Sequence, residues 1–310
     1  MSPSPYLDLL DSHLREGLRG ASGAFVESQI RFVLDCRVPD GGFRGREGDS
    51  DLYYTDFGLR CLALLSPGHP AITAVKEYLD RQIREPSSIV ECFSLLNLYR
   101  MTEEALPKSG VELLVESRLS ESLLPGGGFS RFGVEGSASA YHTFLASLCL
   151  QMLGKPMPLA KESVAAIEKL KRPQGGFAEF DGQAEPQTNA TAAAAAFLMM
   201  HDAMTEDMSA GVVRFLASVQ SSDGGLKAHA AIENGDLLST FTGVLTLAGF
   251  DALSSLDTAA LAQFLRRTAA PQGGFLACDG DETPDIEYAY YGIATYSLLN
   301  SFQRLGNTRK

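Results

Sequence analysis

The sequence predicts an all-α repeat protein whose helix pairs close into a double-walled ring, and three observations carry that prediction. The first is a set of recurring turns: Gly41-Gly42-Phe43, Gly127-Gly128-Phe129, Gly175-Gly176-Phe177, Gly224-Gly225-Leu226 and Gly273-Gly274-Phe275. The last four are spaced by about 49 residues and the first gap is close to twice that, which places a unit without glycines between the first two. The second is that each turn follows an amphipathic run and precedes a more apolar one, so the unit is helix, glycine turn, helix. Paired glycines allow positive φ and close backbone approach, and the Phe or Leu that follows supplies an apolar plug against the neighbouring unit. The third is a difference in kind between the helices of a pair. Second helices such as Ala190 to Phe197 and Gly243 to Ala248 are almost uncharged on all sides, whereas first helices such as Glu162 to Lys171 carry charge on one face. Second helices therefore lie inside, and about six stacked pairs suit a closed ring.

The elements follow in order. Residues 6–18 (Tyr6, Leu7, Leu9, Leu10, His13, Leu14, Leu18) read as an amphipathic helix ended by Gly20 and Ser22-Gly23, a cap on the first repeat. The expected organisation is one domain over 1–310, with this cap in 1–22 and repeats over 23–303. Repeat one pairs Phe25 to Cys36 with Asp51 to Leu65 across a polar loop, Arg44 to Asp49, and Pro67 stops it. Repeat two, the unit without glycines, pairs Ile72 to Ile83 with Ile89 to Tyr99 across a turn from Glu85 to Ser88. Repeat three pairs Val111 to Leu119 with Ser137 to Leu153, and repeat four pairs Leu159 to Leu170 with Thr188 to His201. Repeat five pairs Ala210 to Val219 with Asp236 to Leu247, and repeat six pairs Ala259 to Arg267 with Ile286 to Leu299.

Composition bounds the function. With 310 residues and 45% apolar content, the chain can bury a large core. The longest apolar run, Ala190 to Met200, is about half of what a bilayer span needs, and Met1 to Tyr6 lacks a signal peptide's basic and apolar regions, so a soluble cytoplasmic protein is expected. Five cysteines (Cys36, Cys61, Cys92, Cys149, Cys278) form no Cys-x-x-Cys pair, and those in apolar runs read as buried free thiols. A net charge of −12 and a pI near 4.9 argue against nucleic acid or an anionic membrane surface as the main partner.

Three phrases carry a resemblance to a known family: Phe32-Val33-Leu34-Asp35-Cys36 before Asp40-Gly41-Gly42-Phe43, Leu153-Gly154-Lys155 closing repeat three, and Tyr291-Gly292-Ile293-Ala294 before Ser297-Leu298-Leu299. They resemble the β subunit of protein prenyltransferases, the type II geranylgeranyltransferase β subunit in particular, over nearly the whole chain. The resemblance implies an α/α toroid with a central apolar funnel, a fold shared with terpene cyclases, and an α-subunit-like protein partner. It is specific for the fold and much less so for the reaction.

In that family a catalytic zinc is held by an Asp-x-Cys at the start of the fifth inner helix and a His at the start of the sixth. Here the corresponding positions read Asp236, Leu238 and Tyr288, so no metal or other cofactor is expected. The family's diphosphate pocket fares alike: its basic positions read His229, Ile232 and Gln187, which leaves Lys227 as a candidate for a surviving cation. What remains is a funnel lined by the tops of the inner helices. Asp51, His142, Asp236 and Tyr288 are the candidate catalytic groups, and Tyr54, Asp56, Tyr141, Gln187, Asn189, Glu287 and Tyr291 the candidate substrate contacts. Against these stand plainer readings: Asp51, Asp236 and Asp285 fall where helix N-caps belong, and the tyrosines of repeats one and six suit inter-helix packing.

Three functions are carried forward. The first is a prenyltransferase-like or cyclase-like protein that takes an apolar isoprenoid into the funnel. The second is a non-catalytic toroid that binds a protein or peptide at its rim. The third is an acid-initiated terpene cyclase, for which Asp49-Ser50-Asp51-Leu52 supplies part of an Asp-x-Asp-Asp motif, although the chain has no Trp. No Gly-x-Ser-x-Gly, phosphate-cradling loop or metal-spaced histidine set is present.

Overall fold

A computed structural model describes residues 5–81, 86–102, 110–133 and 136–308, with side chains to 305. Ile83 and Glu85, at the expected end of the outer helix of repeat two and the start of its turn, lie outside the described residues. Thirteen α-helices follow one another among the described residues: α1 (Tyr6–Leu18), α2 (Gly23–Asp35), α3 (Leu52–Leu65), α4 (Pro70–Arg81), α5 (Ile89–Thr102), α6 (Val111–Ser122), α7 (Ala140–Met152), α8 (Ala160–Glu168), α9 (Thr188–Met200), α10 (Glu206–Ser218), α11 (Leu237–Gly249), α12 (Thr258–Thr268) and α13 (Ile286–Thr308). A single 3₁₀ turn, Leu253–Ser255, precedes α12, and pairing between extended segments is limited to isolated bridges among the described residues.

The inner wall is α3, α5, α7, α9, α11 and α13, each packed on the next, and α13 packs back on α3. That return contact closes the ring and makes the fold the α/α toroid that the repeats predict. The outer helices α2, α4, α6, α8, α10 and α12 each lie against an inner helix.

The glycine turns are what hold the repeats in register around the ring. At Gly175 φ is +102°, and a Cβ there would sit 2.3 Å from the carbonyl oxygen of Gly211 on α10, the outer helix of the next repeat. Gly273 does the same across the seam: its φ is +105°, and a Cβ would lie 2.2 Å from the Ser28 carbonyl on α2. Only glycine tolerates both the backbone angle and the approach. The neighbouring Gly274 N–H donates to Gln29 Oε1 at 2.9 Å, tying residue 274 to the first repeat. The residue after each glycine pair is buried, as an apolar plug must be: Phe43, Phe129, Phe177, Leu226 and Phe275.

Four of these plugs are fixed to their own inner helix by one threonine. Phe43 N–H donates to Thr55 Oγ1 at 3.0 Å, Phe129 to Thr143 at 2.9 Å, Phe177 to Thr191 at 2.8 Å and Leu226 to Thr240 at 2.9 Å. The sixth repeat has Ala289 at this register. A buried backbone N–H left without an acceptor costs about 1–3 kcal/mol, so the recurring threonine sets the height of each turn against its helix.

The first helix does more than cap repeat one. It crosses the C-terminal end of the inner ring, where Tyr6 N–H donates to Gln151 Oε1 at the end of α7 (2.9 Å) and Arg100 on α5 pairs with Asp8 and Asp11, each at 2.8 Å. On α13, Ser297 Oγ donates to the Leu14 carbonyl at 2.6 Å and Arg304 donates to the carbonyls of Glu16, Gly17 and Arg19. Amphipathic α1 thus buries Leu7, Leu10 and Leu14 against the open end of the barrel. The ring is plugged at one end. Among the described residues no helix is long and apolar enough to cross a membrane.

Candidate ligand cavity

Inside the ring lies a cavity of about 830 Å³, with Tyr6, Leu7 and Leu10 of α1 at its floor. This falls in the range of small-molecule sites, about 300–1,000 Å³. One wall is built of small side chains, Ala192, Ala193 and Ala196 of α9, which leave the space open, and Leu238, Phe241 and Leu245 of α11 add apolar surface. Phe57, Phe93, Tyr290 and Tyr291 supply aromatic surface; Phe241 stacks on Tyr291 with ring centroids 5.3 Å apart and meets Tyr290 edge-on at 5.6 Å.

The mouth, at the N-terminal ends of the inner helices, carries the polar groups. Ser139 caps α7: its Oγ accepts from His142 N–H at 3.0 Å and lies 2.7 Å from His142 Nδ1. The same hydroxyl donates to Glu179 Oε1. A hydroxyl carries one hydrogen, so with that hydrogen on Glu179, Ser139 accepts from Nδ1–H and His142 keeps an unprotonated Nε2. Burial, with Arg131 nearby, lowers the His142 pKa to about 4, so the imidazole is neutral at physiological pH. Burial also raises Glu179 against the hydrogen bond from Ser139. Phe132 stands beside this group, 80% exposed, with the Arg131 guanidinium 5.2 Å from its ring centroid. At the junction of α13 with the mouth, Glu287 accepts from Tyr291 Oη at 3.0 Å, and burial raises its pKa against the phenols of Tyr53 and Tyr291.

The predicted residues divide into two groups. His142, Asp56, Tyr141, Gln187, Asn189, Glu287 and Tyr291 line the cavity. Asp51, Asp236, Tyr54 and Tyr288 do not. Asp51 Oδ1 accepts from Tyr54 N–H at 2.7 Å and Asp236 Oδ1 from Ser239 N–H at 2.7 Å, so both carboxylates cap the helices that follow them, and Asp285 Oδ1 accepts from Glu287 N–H at 2.9 Å in the same way. Tyr54 and Tyr288 line a shallower cleft outside the mouth, with Arg46, Cys278 and the acidic loop of Asp279, Asp281 and Asp285. In that loop Arg46 pairs with Asp281 and reaches Asp285 at 3.6 Å. The Asp49-Ser50-Asp51 segment stays outside the cavity, its serine donating to Asp40 at 2.5 Å.

The positions that correspond to the family's zinc ligands do not suit zinc. Asp236 spends its carboxylate on the α11 cap, Leu238 offers only hydrocarbon to the cavity, and burial pushes the Tyr288 phenol up to about 12, where it stays protonated. Among the described residues no three His, Cys, Asp or Glu side chains group to hold a metal ion. Nor do the diphosphate positions gather charge: Gln187 lines the mouth, Ile232 is exposed, and Lys227 Nζ donates to its own loop at the Ala230 carbonyl, 3.3 Å away.

Two arginines on the cavity escaped the sequence reading. Arg131 stands at the mouth. Arg60 lies deep, in an ion pair with Asp56 (Nε to Oδ2, 3.5 Å), with their side chains 14% and 3% exposed. Asn97 Nδ2 donates to the other Asp56 oxygen at 2.6 Å. Burial raises Asp56 to about 6 while Arg60 opposes it. The signal for this pair was present: α3 carries no other charge, and two charges at i and i+4 on an otherwise apolar inner helix mark a buried ion pair.

The profile of the prenyltransferase alpha-alpha toroid domain matches residues 20–90, 87–234 and 227–309. No curated protein sequence matches the chain. Among solved structures, protein geranylgeranyltransferase-I of Candida albicans complexed with GGPP superposes with a TM-score of 0.72 at 13% identity, covering 90% of this chain and 92% of that one. A variant of the type II terpene cyclase MstE from Scytonema, in complex with geranylgeranyl dihydroxybenzoate as substrate, gives 0.61 at 14% identity over 95% and 98%. The GH76A alpha-1,6-mannanase from Salegentibacter sp. HEL1_6 gives 0.65 at 16% over 89% and 98%. Three chemistries on one ring leave these likenesses as evidence of fold alone.

Proposed function

Because the chain belongs to the prenyltransferase alpha-alpha toroid family, we propose that it takes up an apolar isoprenoid-class molecule in the cavity of its inner ring, and that it does so without zinc. The observation that carries this reading is the cavity itself: about 830 Å³, walled by alanines and aromatic rings, and floored by α1. Two neighbours with the same ring hold geranylgeranyl compounds by their own descriptions, GGPP in one and geranylgeranyl dihydroxybenzoate in the other. The misfit of Asp236, Leu238 and Tyr288 supports the second half of the reading. Among the polar groups at this site, His142, held neutral by burial and positioned by Ser139 and Glu179, offers Nε2 as a hydrogen-bond acceptor to a bound molecule.

A second reading, a scaffold that binds a peptide or an α-subunit-like protein at its rim, is favoured by one observation, the 80% exposure of Phe132 beside the mouth. Native mass spectrometry of the purified protein, with metal analysis of the same sample, separates these. An apolar mass of isoprenoid size without stoichiometric zinc is the expected result. Stoichiometric zinc overturns the metal-free reading, and a protein that neither carries nor takes up isoprenoids leaves the rim scaffold.

A further inference from the structure

Arg60 is the polar group that the apolar cavity least explains. It lies eight residues into α3, so it sits about 12 Å down the helix axis from the mouth. Its guanidinium is surrounded by aromatic side chains, with the carbon Cζ over the ring of Tyr290 at 4.7 Å from the centroid, of Phe93 at 5.3 Å and of Phe57 at 5.6 Å. The donors, however, lie in the guanidinium plane, at its edge. Its one ion pair runs through Nε to Asp56, at a distance too long for a hydrogen bond, and neither Nη nitrogen has an acceptor among the described residues. A long hydrocarbon that filled the floor of the cavity would strip water from these N–H groups and return nothing.

We propose that the edge of Arg60 is a second recognition point, which binds a neutral oxygen acceptor, a hydroxyl or a carbonyl, at the end of the ligand that reaches the cavity floor. The inference rests on the isoprenoid reading of the cavity and narrows it to oxygenated isoprenoids. Charge decides between a neutral and an anionic acceptor. Arg60 and Asp56 already sum to zero, and Asn97 holds the second Asp56 oxygen. A carboxylate on the ligand would therefore leave one negative charge unmatched in a nearly water-free site, whereas a hydroxyl or carbonyl accepts from Nη–H at no charge cost. Arg100, the next cation toward the end of the ring, is committed to Asp8, Asp11 and Asn97 and adds nothing.

The test compares the matched series phytane, phytanol and phytanic acid, delivered from cyclodextrin to the full chain and read by competition in native mass spectrometry. The expected order places phytanol roughly tenfold above phytane, the scale of one hydrogen bond from a charged donor, with phytanic acid below phytanol at neutral pH. In Arg60→Met the phytanol-to-phytane ratio falls to about one while phytane still binds. An Asp56→Asn/Arg60→Met double variant, which keeps the site neutral and folded if the single variant fails, gives the same collapse. A ratio near one in the unmodified protein, or one that survives both variants, overturns the inference and leaves the cavity reading standing. Phytanic acid as the tightest ligand, lost in Arg60→Met, replaces the neutral acceptor with an anion site. Failure of all three molecules to bind removes the cavity reading and this inference with it.

Discussion

Closure of the ring is a claim about one contact between residues far apart in sequence, and one pair of substitutions tests it. Gly273 and Gly280 belong to the same repeat and both have positive φ, +105° and +93°. They differ in space: a Cβ at Gly273 meets the Ser28 carbonyl at 2.2 Å, and a Cβ at Gly280 meets nothing within 4 Å. Alanine at either position takes on backbone strain of about 1–2 kcal/mol. At Gly273 it must also push the α2 backbone away by more than an ångström, an overpacking cost of about 1–3 kcal/mol. Gly273→Ala is therefore expected to destabilise the protein by about 2 kcal/mol more than Gly280→Ala. Urea titration followed by far-UV circular dichroism measures both, with the difference read from the midpoints at a common slope. Equal losses would mean that the last repeat does not meet the first, and the ring would have to be an open solenoid.

The remaining predictions concern the turns and the cavity. Thr191→Val keeps the shape but leaves the Phe177 N–H without its 2.8 Å acceptor, and an unfolding titration should show a loss of about 1–3 kcal/mol. Ala193→Phe places a ring in the cavity from its alanine wall, so isoprenoid uptake in native mass spectrometry should fall at least tenfold with the thermal midpoint little changed; unchanged uptake would place the ligand elsewhere. His142 titrates near 6.5 when unfolded and near 4 when folded, so between those values the unfolded chain binds more protons and stability drops as pH falls through this window. His142→Gln should flatten that slope between pH 7 and pH 4 in the same titration, and an unchanged slope would refute the buried neutral imidazole.

The repeat architecture was legible because its signals are local. A glycine pair, a following aromatic and the contrast between charged and uncharged helices survive without knowledge of any partner, and the structure places all of them where a ring needs them. The caps were legible for the same reason: Asp51, Asp236 and Asp285 precede their helices and accept from the first turn. The cavity lining was legible only in part. Periodicity gives the rotation of a helix when one face is polar, and inner helices such as α9 are apolar all round, so nothing in their pattern says which residues meet the cavity. Asp51 and Tyr288 stood at the tops of inner helices and were read inward, but the Asp51 carboxylate turns back to cap α3 and Tyr288 lines the outer cleft, while Glu287, one residue from Tyr288, does reach the cavity. The destination of α1 was also beyond reach, since an amphipathic stripe says that a helix is covered and not by what. Glu179 belongs to a loop of repeat four yet completes the site on α7, a juxtaposition that only the packed ring reveals.

The caps also bear on what the mouth can hold. Six inner helices point their N-termini toward one end of the ring, and uncapped N-termini would gather positive potential there, as anion-binding sites do. In this chain Asp51, Ser139, Asp236 and Asp285 occupy those termini with oxygen acceptors, three of them carboxylates. Among the described residues the cations that line the cavity are Arg131, exposed at the mouth, and Arg60, paired with Asp56. A mouth with four of its six helix termini answered by these acceptors, α9 starting at Gln187 without a side-chain cap, and with one exposed guanidinium lacks the charge to hold a diphosphate against water. Excess inorganic diphosphate should therefore leave the occupancy of a bound apolar isoprenoid unchanged, and a prenyl diphosphate should bind no more tightly than its alcohol. Displacement by diphosphate that weakens with added salt would show that the mouth assembles an anion site after all. That outcome would return the chain to diphosphate chemistry and remove the ground for treating its ligand as a neutral isoprenoid.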